Sequence, residues 1–212
     1  MKNSKTKNTE KTGDENGYYF IKPFEISSSY NLFIDTWIKV NKLYKEINEV
    51  TDAGLMQSLS DDSKYGYISY SDWETKESYV ESNQQNTVLR YHTTINGNGS
   101  GSANHYLYKL MSGENYNGDS YKANRNYEIL LCDTELSYNE IVRDLWSKLC
   151  DSKKPKLASS YLYKSVYKKS KFRYVGFLYY NDNDIKSPDN NSILKKSGCK
   201  IYSSFYKKVK KY

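Results

Sequence analysis

Tyrosine, which occurs 24 times in 212 residues, is the side chain from which this sequence must build much of its core. Hydrophobic residues make up only 37% of the chain, so aliphatic side chains alone offer little apolar surface for burial. A buried tyrosine ring contributes a large apolar area but needs a hydrogen-bond partner for its hydroxyl group. We therefore expect an aromatic, partly hydrogen-bonded core in a single domain of ordinary size.

The N-terminal residues 1–16 contain no large apolar side chain after Met1, and we expect them to form a disordered polar tail. The folded domain then spans residues 17–212, with no internal repeat apparent. The sequence has no run of about 18 apolar residues and no apolar secretory signal at its start. It therefore predicts an intracellular, cytoplasmic protein without a membrane partner, and a nuclear location stays open.

The clearest local signal is a helix start at Ser137. Ser137 and Glu140 have the spacing of a capping box, and the apolar residues that follow share one face. This pattern predicts a helix over 136–149, directly after a compact apolar strand at 127–132.

Hydrophobic periodicity divides the rest of the chain into strands and helices. Together these patterns predict an α+β domain with a mixed or mostly antiparallel sheet of about six to eight strands and about four helices. The further predicted strands are 18–24, broken near Pro23, and 64–70, 87–95, 159–168, 172–180 and 199–209; 159–168 and 172–180 form a hairpin. The further predicted helices are 30–47, 103–111 and a capped helix between Ser187 and Gly198, and 112–126 is a predicted loop.

Positive charge is concentrated in the last third of the chain. Residues 152–212 carry a net charge of +13, which leaves −6 for the preceding residues, and lysine greatly outnumbers arginine there. Crowded like charges attract phosphate, although a solvated lysine-rich face that balances the acidic part explains the pattern equally well.

Cations beside aromatic rings are typical of proteins that bind single-stranded nucleic acid or RNA without reading its sequence. We therefore predict a nucleic-acid-associated binding or accessory protein. The expected phosphate contacts are Lys164, Lys168, Lys169, Lys171, Arg173, Lys207, Lys208, Lys210 and Lys211. The expected stacking residues are Tyr163, Tyr167, Tyr202 and Tyr206.

The sequence also fits two alternative functions. Gly97, Gly99 and Gly101 lie between a predicted strand and a predicted helix, where backbone N–H groups can approach a phosphate. This arrangement would suit a transferase, either a GNAT-like acyltransferase or a nucleotide-dependent enzyme. The other alternative is a protein–protein interaction module of viral or mobile-element origin, whose basic face meets an acidic protein.

Other polar groups give weaker signals. The segment from Asp72 to Lys76 contains the Glu-x-Lys pattern of metal-dependent nucleases, with Asp61 and Asp62 as possible metal partners, but lysine is abundant enough to produce it by chance. The remaining candidates are general bases at His92 and His105, for which structural roles are favoured, and a predicted turn at Asp182, Asp184 and Asp189.

The three cysteines, Cys132, Cys150 and Cys199, are an odd number at wide spacing. This arrangement favours reduced thiols in the core over a disulfide framework or a zinc site. The sequence accordingly predicts no metal site and no cofactor, and it indicates no oligomeric state.

Overall fold

Eight strands close into an antiparallel barrel in a computed structural model of the chain. The structure describes residues 17–26, 33–35, 37–39, 42, 50–84, 106–116, 126–137, 140–181 and 199–209. The strands are β1 (Tyr18–Phe24), β2 (Val50–Ser58), β3 (Tyr67–Trp73), β4 (Leu107–Asn115), β5 (Tyr127–Asp133), β6 (Leu157–Ser165), β7 (Tyr174–Tyr180) and β8 (Lys200–Lys208). They pair in the order β1-β3-β2-β8-β5-β7-β6-β4, and β4 closes the ring by pairing with β1.

The closed barrel corrects the prediction of an α+β domain with about four helices. The main errors are β2, which we did not predict, and β4, which we predicted as a helix followed by a loop. Both strands contain leucine, methionine and glycine, which do not favour strands locally. Hydrogen bonds to a neighbouring strand on each side override that local preference.

Several predicted elements are confirmed within a few residues: β1, β3, β5, the β6–β7 hairpin and β8. The capping box is also confirmed, because the Ser137 N–H donates to Glu140 Oε2 at 2.7 Å and the Glu140 N–H donates to Ser137 Oγ at 3.4 Å. Pro23 does not interrupt β1, which continues to Phe24. The predicted tail 1–16, the strand 87–95 and the helix between Ser187 and Gly198 lie outside the described residues.

Short helices cover the outer face of the barrel. Residues 33–35, 37–39 and 42 are helical, α1 spans Lys76–Gln84, and a π-helical segment at Ile141–Trp146 continues into α2 (Ser147–Lys153). None of the helices within the described ranges has the length and apolarity needed to cross a membrane. Three apolar clusters join helices to strands: Phe33 and Trp37 with Leu55 and Tyr67, Tyr79 with Phe20 and Trp73, and Trp146 and Leu149 with Leu130 and Leu178.

One end of the barrel interior is filled by an aromatic plug of Tyr65, Tyr108, Phe172 and Tyr206. The Tyr206 hydroxyl donates to the Tyr65 carbonyl at 2.8 Å, and the Tyr108 hydroxyl donates to the Phe172 carbonyl at 3.3 Å. The rings of Tyr65 and Phe172 meet edge to face at 5.5 Å. Tyr206 and Tyr108 thus pack their rings in the core while their hydroxyl groups reach backbone acceptors, whereas the buried Tyr65 hydroxyl has no hydrogen-bond partner among the described residues.

The order of the strands reveals an internal repeat that the sequence did not indicate. Strands β1 to β4 lie in the order β4-β1-β3-β2, and β5 to β8 lie in the matching order β8-β5-β7-β6. The first half follows the β-α-β-β-α-β pattern, and the second half follows β-α-β-β up to β7, with residues 182–198 before its last strand outside the described ranges. At one constant spacing, Ser58, Ser63, Lys64, Tyr65 and Tyr67 correspond to Ser165, Ser170, Lys171, Phe172 and Tyr174.

A buried ion pair ties α2 to the barrel. Glu128 of β5 is fully buried, and its Oε2 atom accepts a 2.7 Å hydrogen bond from the Lys153 ammonium group. The Tyr180 hydroxyl donates to the same oxygen, and Ser203 Oγ donates to Oε1 at 2.8 Å. Both oxygens of the carboxylate are therefore hydrogen-bonded, as a buried charge requires.

Replacing Lys153 with methionine should lower the free energy of unfolding by roughly 3 kcal/mol, because it leaves the Glu128 charge buried without its counter-ion. Urea unfolding of the wild type and Lys153→Met would measure this. Lys156→Met, at an exposed lysine nearby, is the matched control and should change stability by less than about 0.5 kcal/mol. Equal losses in the two variants would contradict the assigned role of the ion pair.

Candidate functional site

A cavity of about 460 Å³ lies inside the barrel. An eight-stranded barrel is just wide enough to hold one small ligand, and the volume is typical of small-molecule sites. The lining residues are Tyr19, Ile21, Asp52, Met56, Tyr70, Asp72, Tyr127, Tyr163, Phe177, Tyr179 and Lys208.

One wall of the cavity is a continuous series of aromatic rings, which we call the aromatic wall: Tyr19, Tyr163, Phe177, Tyr179 and Tyr127. Successive ring centroids are 4.8, 5.5, 6.4 and 4.9 Å apart. Because β1, β6, β7 and β5 each contribute inward-facing residues at alternate positions, these rings meet inside the barrel. The wall offers large apolar faces to a planar ligand.

Beside the aromatic wall, the cavity is lined by a polar wall formed by Asp52, Tyr70, Asp72 and Lys208. These residues come from β2, β3 and β8, which are adjacent in the barrel. The Tyr70 hydroxyl donates to Asp52 Oδ2 at 3.2 Å, and the Lys208 Nζ atom lies 3.5 Å from the same oxygen. The side chains of Asp52 and Lys208 are 41% and 29% exposed, so the polar wall reaches solvent.

Asp52 and Asp72 face each other across the β2–β3 pair. Like charges at directly opposite positions destabilise a sheet, so this pairing is unfavourable for the fold by itself. A register shift between Val50 and Asp52 disturbs the ladder immediately beside the pair. Such bulges are common next to active sites, where they reorient side chains.

The Asp72 carboxyl group is mostly buried, and no described side chain hydrogen-bonds to it. Burial in the cavity is the main cause that raises its pKa from 3.8 to about 7, and the Asp52 charge raises it further. Lys208 acts in the opposite direction and lowers the pKa. A carboxyl group tuned to this range can accept and return a proton near neutral pH.

Gly54 allows Tyr70 to reach Asp52. A Cβ atom at Gly54 would come within 2.5 Å of the Tyr70 ring and hydroxyl oxygen, so only glycine leaves room for the ring over β2. Burial and the Asp52 charge raise the pKa of Tyr70 well above its usual value. Tyr70 therefore stays protonated and serves as a hydrogen-bond donor to Asp52.

The predicted stacking tyrosines do not form a nucleic-acid surface. Tyr163 and Tyr206 are only 7% and 2% exposed, since both face the barrel interior. Tyr167 and Tyr202 are half-buried and lie beneath lysine ammonium groups, at 5.5 Å from Lys76 and 5.2 Å from Lys64.

The predicted phosphate contacts do not converge either. Lys171 hydrogen-bonds to Glu25 at 2.9 Å near the aromatic plug, whereas Lys208 lines the cavity. Arg173 donates to the Tyr167 carbonyl at 3.3 Å. The others are the half-buried Lys164, the exposed Lys168, Lys169 and Lys207, and Lys210 and Lys211, which lie outside the described residues.

The weaker candidate sites are not assembled by the fold. Asp61 and Asp62 precede β3, whereas Glu74 follows it, so a seven-residue strand separates them. The described part of the chain holds no cluster of three or more potential metal ligands. The glycine loop at 97–101, both histidines and the aspartates at 182–189 lie outside the described residues. The three cysteines are free thiols; Cys132 and Cys150 are buried, as predicted, whereas Cys199 is only half-buried.

Sequence reasoning missed the polar wall because its members come from separate segments. Asp72 lies two residues past the end of the predicted strand 64–70, where the sequence pattern places it in the Glu-x-Lys segment with Glu74 and Lys76. One signal could have found it: Ile68, Tyr70 and Asp72 occupy one face of the period-two pattern, so Asp72 falls on the same face as an apolar core residue. Asp52 gave no such signal, because β2 was not predicted.

Comparison with solved structures shows the same barrel in an anthrone oxidase-like protein, with a TM-score of 0.63, 9% identity and 93% of each chain covered. A candidate monooxygenase from Fusobacterium nucleatum has a TM-score of 0.49, 10% identity and 91% coverage of each chain. A monooxygenase-like protein from Listeria innocua has a TM-score of 0.42 and 15% identity over 93% of this chain and 96% of that one. No protein-family profile and no functionally curated protein matches the sequence.

The barrel shared with the anthrone oxidase-like protein corrects the prediction of a nucleic-acid-binding protein. The same finding corrects the transferase alternative and the interaction module of viral origin. The physical reason is that the basic segment is folded into the barrel, where Tyr163, Tyr179 and Tyr206 are buried in the interior and the cations lie in separate regions. An acidic protein partner stays a prediction.

Asp72 should make stability depend on pH. The Asp72 pKa is higher in the folded protein than in the unfolded chain. Its contribution to the free energy of unfolding is therefore fully present below about pH 4 and is lost as the pH rises to about 7. Asp72→Asn should therefore be more stable relative to wild type at pH 8 than at pH 4. Urea unfolding at both values tests this, with Glu74→Gln as the exposed-carboxylate control. Parallel pH profiles for wild type and Asp72→Asn would refute the perturbed pKa.

Proposed function

We propose that the protein is an enzyme that removes a proton from a planar aromatic ligand in the barrel and exposes the resulting carbanion to dioxygen. The observation that carries this proposal is the Asp72 carboxyl group, which lies in an aromatic cavity with a pKa of about 7. Near neutral pH such a group is partly ionised, yet it is more basic than an ordinary aspartate.

The aromatic wall supports a planar ligand. Five rings with centroid spacings between 4.8 and 6.4 Å present both faces and edges, the two orientations that stack best against another ring. The polar wall adjoins the aromatic wall and carries the proton acceptor, since Asp72 pairs with Tyr19 across β1 and β3. A flat ligand stacked on the aromatic wall would therefore place one edge against Asp72.

The proposed reaction begins when the Asp72 carboxylate takes a proton from a methylene group flanked by aromatic rings. The carbanion then forms a C–O bond to dioxygen, and the resulting hydroperoxide anion takes the proton back from Asp72. Cleavage of the O–O bond and of the remaining C–H bond releases water and leaves a ketone. Each turnover thus converts one methylene group and one dioxygen into one carbonyl group and one water.

Anthrone is a suitable first substrate for two reasons. It is a flat tricyclic ketone with one such methylene group, so it matches the shape and chemistry proposed for the cavity. The protein that shares the barrel is described as anthrone oxidase-like. At 9% identity that likeness concerns the fold, and the proposed reaction rests on this chain's own cavity.

Asp72→Asn should reduce anthrone-dependent oxygen uptake by about 100-fold or more, because an amide cannot accept the proton. The wild-type rate should rise with pH up to about 7 and then level off as Asp72 becomes fully ionised. An oxygen electrode gives both results, and product analysis should detect the ketone. Glu74→Gln, at an exposed carboxylate beside the same strand end, should retain wild-type rates.

A second measurement separates the two halves of the proposal. Under anaerobic conditions in deuterium oxide, wild-type protein should accelerate exchange of the methylene protons, and Asp72→Asn should not. Oxygen uptake that is equal in wild type and Asp72→Asn would refute the role of Asp72. Exchange without oxygen uptake would refute the oxidation step.

A further inference from the structure

Lys208 is the sole cation among the described residues that line the cavity. It lies in the last position of β8, with its ammonium group 3.5 Å from Asp52 Oδ2 and 5.1 Å from the centroid of the Tyr70 ring. Its side chain is 29% exposed, so this member of the polar wall reaches both the cavity and solvent.

Proton transfer inside this cavity moves negative charge from Asp72 to the ligand. The total charge of the site stays the same, but the ligand anion now lies in a place where most of the lining is apolar. A charge in such surroundings needs a counter-ion or strong donors. Asp52 cannot serve, because it is itself a carboxylate.

We infer that Lys208 stabilises the anion of the bound ligand, through a ligand oxygen that is conjugated to the acidic position. The inference rests on the proposed function and extends it to the ligand class. The site would select molecules that enter neutral and carry a hydroxyl or carbonyl group through which the negative charge can spread. Lys208 would then be a catalytic residue that contacts the developing oxyanion.

The local geometry lets the Lys208 ammonium group turn towards a ligand with little loss of existing interactions. At 3.5 Å its contact with Asp52 is long, and an ion pair that is partly exposed contributes little to stability. An ammonium group has three donors, so one can stay with Asp52 while another points into the cavity. Tyr70 keeps its 3.2 Å hydrogen bond to the same Asp52 oxygen, so the carboxylate does not lose all its partners.

Alizarin, a planar hydroxyanthraquinone, tests the inference directly, because its colour changes when a hydroxyl group ionises. We expect wild-type protein to bind the dye, and a visible-absorbance titration would then give the ionisation midpoint of the bound dye. Lys208→Met should raise that midpoint by about one pH unit or more, which is the effect of losing one cation close to the charge. Lys208→Arg should keep the wild-type midpoint within a few tenths of a unit, because the charge remains.

Lys207→Met is the matched control, since Lys207 is the preceding residue of the same strand and is exposed. It should leave the midpoint unchanged, and circular dichroism would establish that all variants fold. If the bound dye ionises at the same pH in wild type and Lys208→Met, the inference about Lys208 is wrong, while the proposed function stands. If wild-type protein does not bind the dye, the proposed aromatic-ligand site itself is contradicted.

Discussion

Closure of eight strands into one hydrogen-bonded ring is the constraint on which the candidate site depends. In a closed barrel every second residue of a strand points into the same narrow space, so a single substitution there changes the chemistry of the whole interior. Most inward positions carry aromatic or aliphatic side chains. Asp72 is one of the exceptions, and its pKa is raised because burial disfavours its charged form and the Asp52 carboxylate lies nearby.

The two halves of the barrel share a topology but contribute different kinds of residue to the candidate site. Tyr65 and Phe172 occupy equivalent positions and close the same end of the interior. At the other end the symmetry is broken, since Asp72 in the first half corresponds to Tyr179 in the second. One half therefore contributes both carboxylates, and the other contributes most of the aromatic wall, which produces one asymmetric cavity with a reactive side and a binding side.

In this fold the division of charge along the sequence does not correspond to one basic surface. Asp61 and Asp62 in the turn before β3 correspond to Lys168 and Lys169 in the turn before β7. The acidic and basic parts of the chain thus differ at equivalent exposed positions of a repeated unit. A count of charges along the sequence records this contrast but does not show which way each side chain points. It therefore suggested a single nucleic-acid surface, whereas the barrel spreads its cations over separate regions.

The sequence by itself determined the features that depend on neighbouring residues: the alternation of β3, the compact apolar run of β5, the β6–β7 hairpin, the capping box at Ser137 and a core built on tyrosine. Only the tertiary structure decided that β2 and β4 are strands, because their hydrogen bonds come from distant segments. It also decided the site. Asp52 and Asp72 become neighbours through the β2–β3 pairing, and Lys208 joins them through β8, so no local pattern could indicate their shared chemistry.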